Sequence, residues 1–92
     1  MKGYRYIDNY YSSRPEVGDI LPTSFVWDGD EQTDEELAGT CCFASLEALK
    51  EYAKWSKGCG VLVIVEGEMK GWGDLANEVI IADAEVLEVI EW

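Results

Sequence analysis

Ninety-two residues with 48% hydrophobic content and four tryptophans describe one small globular domain, 1–92, rather than a disordered chain. Nineteen acidic residues stand against seven basic ones, a formal charge of −12; direct contact with nucleic acid or an anionic membrane is not expected, since both need positive potential at the contact. The absence of histidine removes Ser–His and Cys–His nucleophiles, His-ligated zinc and imidazole bases, so any chemistry rests on carboxylates, hydroxyls, thiols or a basic side chain.

The first six residues lack the apolar stretch of a signal peptide. The longest apolar run, 61–65, is too short to cross a bilayer. Three cysteines, two of them adjacent, do not suit a disulfide framework, and a reducing cytoplasm is the expected setting. The expected state is a monomer or small homo-oligomer.

Tyr4, Arg5, Tyr6 and Ile7 alternate aromatic with polar and predict a first strand, with Arg5 on the face opposite the tyrosines. Residues 8–18, with Asn9, Ser12, Ser13, Pro15 and Gly18, have the composition of a loop. Ile20 and Leu21 precede Pro22 and are biased to extended geometry. A short second strand is predicted at 23–27, ending at the turn signal Asp28-Gly29.

Residues 28–36 carry six carboxylates: Asp28, Asp30, Glu31, Asp34, Glu35 and Glu36. The EF-hand pattern does not fit, because counting from Asp28 the sixth position is Thr33 where glycine is needed, and the twelfth is Gly39 where glutamate is needed. A capping box fits better, with Thr33 as N-cap and Glu36 reaching back to it, which predicts a one-turn helix near 34–38 stopped by Gly39. No metal site is expected.

The centre of the chain is a strand of small residues, 39–43, running into a helix. Ser45 is the N-cap, Leu46, Leu49 and Ala53 form an apolar stripe, Lys50, Lys54 and Lys57 form a basic one, and Gly58 ends it. One main helix is predicted over 46–57. Residues 61–66 are β-branched and apolar on both faces, as in a covered central strand. Residues 67–75 read as a loop with Trp72 between two glycines. Glu78 to Ile81 is the next strand, Asp83-Ala84 a turn, and 86–90 the last strand. The fold class is α+β: a small, mainly antiparallel sheet of five or six strands with one main helix.

The order of these elements resembles the ADP-ribosyltransferase superfamily, as a small, divergent member of phage or mobile-element type. Tyr4-Arg5 stands where that family has its first-strand arginine. The stretch from Gly39 to Phe43, with the helix after it, is similar to the second motif, and Glu78-Val79-Ile80-Ile81 is similar to the glutamate strand. The resemblance implies NAD as cofactor, with Arg5 holding its phosphates or nicotinamide-side ribose and Thr40 bracing the ribose or the catalytic carboxylate. It implies Glu78 as the catalytic carboxylate that stabilises positive charge developing on the ribose. Cys42 stands where the second motif commonly has a serine. Ala76, two residues before Glu78, is not the glutamate or glutamine of arginine-modifying members, so the resemblance points away from arginine acceptors.

An alternative of a different class is a catalytically inactive acidic interaction module, of inhibitor or nucleic-acid-mimic type. Asp30, Asp34 and Glu35 with an exposed Trp72 would then face a basic partner. Cys41 and Cys42 point to opposite faces of one strand, which places one of them in the core.

Overall fold

A computed structural model describes residues 1–9, 13–27, 37–73 and 75–92. The chain runs β1 (Lys2–Asp8), β2 (Phe25–Trp27), β3 (Leu37–Phe43), α1 (Leu46–Tyr52), a 3-10 turn (Lys54–Ser56), β4 (Gly60–Trp72) and β5 (Glu78–Glu91). Among the described residues four long strands carry the sheet, and the three-residue β2 extends it beyond β3, giving the order β1-β4-β5-β3-β2 with antiparallel pairing throughout. The α+β expectation stands at that coarse level.

The sheet curls until β1, at one end, also meets β3, at Tyr4 opposite Phe43. Alternation along each strand then separates two apolar clusters. One gathers Cys42, Val61, Val63, Val65, Val79, Ile81, Ala84 and Val86. The strands approach closely there: a Cβ on Gly3 would lie 2.8 Å from the Cys42 Cβ. The other cluster lies under the helix, where Leu49 and Ala53 cover Leu62, with Tyr4, Tyr6, Phe43 and Trp92 around them.

The helix starts as its cap predicts: the Ser45 hydroxyl accepts from the Ala48 amide at 3.1 Å. It stops sooner than the predicted 46–57. The Ala53 carbonyl takes the Trp92 indole N–H at 2.8 Å and the Ser56 amide at 2.9 Å, so the chain tightens into the 3-10 turn. Gly58, at φ +88, closes the segment.

Further sequence expectations are corrected. The loop predicted at 67–75 is strand as far as Trp72, and the two strands predicted around Asp83-Ala84 are one strand, β5. The residues that read as turn signals instead sit where β4 and β5 slip register, between Ile64/Val65, Glu66/Glu68 and Met69/Gly71. Asp83 takes φ +52 within the strand, a conformation its short polar side chain tolerates. The sequence therefore over-counted strands by splitting one hairpin. Of the one-turn helix predicted near 34–38, residues 37 and 38 belong to β3, where they pair with Trp27 and Val26, and the remainder lies outside the described residues.

Candidate functional site

The seam between β1 and β3 is where the sheet leaves room. β1 pairs with β4 at seven positions from Lys2 to Asp8, but its described pairing with β3 is the single Tyr4–Phe43 bridge. Next to that bridge the Arg5 side chain spans the seam. Its Nη1 donates to the Cys41 carbonyl at 2.7 Å and, at 3.4 Å, to the Ser24 hydroxyl oxygen. Ser24 Oγ also accepts from the Cys41 amide at 3.0 Å, so one hydroxyl ties the guanidinium to the β3 backbone. A charged donor on a carbonyl in a part-buried position is among the stronger hydrogen bonds a small fold makes.

Two depressions open on either side of Arg5. The smaller, about 240 Å³, is lined by Tyr4, Arg5, Cys42, Phe43, Tyr52 and Glu78 among others. Glu78 arrives there as the first residue of β5, opposite Phe43. The Phe43 and Tyr52 rings form one wall, their centroids 5.0 Å apart at 42°. Cys42 forms the floor, 2% exposed. Burial pushes its thiol up to about 12; Arg5 pulls it down, while Cys41 and Glu78 push it further up. At neutral pH Cys42 is thus a protonated, unreactive thiol between a cation and a carboxylate.

The larger groove, about 710 Å³, falls within the size range of small-molecule sites. It is walled by β1 and by the segment 13–24, with Arg5, Arg14, Asp19, Leu21, Pro22 and Ser24 in its lining. That wall is held against β5 by backbone bonds: the Gly18 amide to the Val86 carbonyl at 2.8 Å, the Leu21 amide to the Ala84 carbonyl at 2.9 Å, and the Val86 amide to the Asp19 carbonyl at 2.8 Å. Arg14 pairs with Glu91 at the exposed rim. Arg5 and Tyr6 line both depressions.

Of the three residues expected to share a site, Arg5 and Glu78 line the same cleft. Thr40 does not line either depression: it is 2% exposed and its hydroxyl donates to the Pro22 carbonyl at 3.0 Å, pinning the wall of the larger groove. Trp72, expected in a loop, sits at the end of β4 with 65% of its surface exposed. Asp30, Asp34 and Glu35 lie outside the described residues. Among the described residues no group of three or more carboxylates and thiols is placed to hold a metal ion, and no helix is long and apolar enough to cross a membrane. The sequence reading missed Ser24, whose position in a short extended stretch gave no local sign that it would meet Arg5.

No family model matches the chain, and no curated protein or solved structure matches it.

Proposed function

We propose that the chain binds NAD across the Arg5 seam and transfers ADP-ribose to a macromolecular acceptor, in the manner of the ADP-ribosyltransferases its motif order resembles. The observation that carries this reading is that Arg5 lines both depressions while Glu78 lines the smaller one. The remaining donors of the Arg5 fork suit the pyrophosphate in the larger groove. Asp8 and Asp19, in the same groove, can accept from ribose hydroxyls. The smaller cleft offers an aromatic wall and a carboxylate, which together favour a planar ring carrying positive charge.

NAD supplies the ADP-ribosyl group: its bond from ribose C1′ to the nicotinamide nitrogen breaks with the electron pair going to the ring, and the acceptor forms the new bond as it gives up its proton. Glu78 accepts from a ribose hydroxyl and steadies the positive charge that develops beside it. Thr40 acts at a distance in this scheme, through its bond to Pro22. The test is a thermal-shift series. NAD at millimolar concentration raises the melting temperature by mass action, and Glu78→Gln abolishes nicotinamide release. Absence of any shift with NAD rejects the reading.

A second reading, an acidic module that captures a basic protein, draws on the far end of the β4–β5 hairpin. Met69, Trp72 and Leu75 are exposed there, with Glu66 and Glu68 on the same strand as the first two. Asp30, Asp34 and Glu35, which lie outside the described residues, contribute negative charge to this reading. Capture that weakens with salt and with Trp72→Ala supports it; capture indifferent to both excludes it.

A further inference from the structure

The tip of the hairpin contains a glycine whose presence the backbone does not explain. Gly73 follows Trp72 at the end of β4, and its amide donates to the Glu78 carbonyl at 2.8 Å, so the two residues face each other across the turn. The positive-φ glycines of the described chain are Gly18 and Gly58; Gly73 is not one of them, and its backbone is open to any L residue. A Cβ built on Gly73 would nevertheless lie 2.6 Å from Glu78 Cγ and 2.7 Å from Cδ, and closer still to Oε1. The three nearest atoms all belong to the Glu78 side chain, whereas a Cβ on Gly39 would meet the Ile81 backbone first.

We propose that Gly73 is a positioning residue for Glu78: the missing side chain is the space through which Glu78 lies over the hairpin tip and into the cleft it shares with Arg5. The inference rests on the reading that Glu78 carries the chemistry, but the placement of the carboxylate can be measured without it. A methyl group at position 73 displaces the Glu78 side chain rather than the strand, because the far end of a glutamate can turn away while backbone cannot. Folding is then little affected and the carboxylate leaves the cleft. A displacement of about 1 Å in a reacting group can cost roughly 100-fold in rate.

The experiment compares Gly73→Ala with Glu78→Gln in the full chain. The carboxyl carbon-13 resonance of Glu78, identified by its loss in Glu78→Gln, shifts in Gly73→Ala while the melting temperature stays within a few degrees. The thermal shift produced by NAD, which depends on Arg5, is retained. Nicotinamide release falls by roughly 100-fold through kcat, with KM little changed. An unmoved Glu78 resonance in Gly73→Ala overturns the proposal. A moved resonance in a protein where Glu78→Gln leaves nicotinamide release unaltered upholds the placement by Gly73 and rejects Glu78 as the catalytic group.

Discussion

The Arg5 guanidinium donates to the Cys41 carbonyl at 2.7 Å, from a strand that meets β3 at one described residue pair. The side chain that faces the ligand-sized groove is therefore also a strut across the seam of the sheet. Stability and the proposed binding of NAD meet at this position, and a substitution there has to be read for both.

Arg5→Met removes the strut and leaves the Cys41 carbonyl without this charged donor. A hydrogen bond to a charged group contributes about 1.5–3 kcal/mol when buried, and about 1–2 kcal/mol is expected at this part-buried site. Urea unfolding measures it. Arg5→Lys keeps the charge but loses the planar fork, so it recovers part of the stability and little of the NAD-dependent thermal shift. Equal NAD shifts in Arg5→Lys and the parent would remove Arg5 from the binding site.

Ser24→Ala takes away the acceptor shared by the Cys41 amide and Arg5 Nη1. The expected loss is about 1 kcal/mol. The change is non-additive with Arg5→Met, because both act on one small network. A double-mutant cycle with zero coupling would show that the two bonds act separately.

These contacts were largely illegible in the sequence, and the reason is distance along the chain. Ser45 and the Leu46–Leu49–Ala53 stripe announced the helix, since a cap and its period are local signals. Arg5 and Glu78 could be placed near strand starts for the same reason. The groove wall at 13–24 could not be placed, because the bonds that hold it reach more than sixty residues ahead, to Ala84 and Val86. Gly67 misled in the opposite direction: it reads as a breaker, yet it lies inside β4, where a Cβ would run into the Ala82 carbonyl.

Leu62→Ala and Trp72→Ala separate core from surface. Leu62 is fully buried beneath α1, and its truncation is expected to cost about 2–5 kcal/mol. Trp72, 65% exposed, should change unfolding free energy by about 0.5 kcal/mol or less. A large destabilisation by Trp72→Ala would assign that ring a packing role and withdraw it as a contact for a basic partner.

Cys42 gives a prediction in pH. Its thiol is moved from an ordinary 9.0 to about 12, chiefly by burial between the sheet faces. Below pH 9 both folded and unfolded chains keep this proton, so the group has no effect on stability there. Between 9 and 12 the unfolded chain has released the proton and the folded chain has not. The folded state then binds more protons, and stability falls as pH rises, by up to about 1.4 kcal/mol per pH unit from this group alone. The variant and the parent share every other contribution to the pH dependence, so the quantity to measure is a difference in slopes. Cys42→Ala costs a roughly constant cavity penalty at every pH and removes the thiol's share of the slope. Urea-unfolding free energies from pH 8 to 10.5 should therefore diverge at pH 8 and draw together as pH rises. Parallel curves would show that the Cys42 thiol is not held protonated by the fold. A thiol reagent supplies the companion measurement at pH 8: exposed Cys59 reacts promptly, and Cys42 reacts only as the protein unfolds.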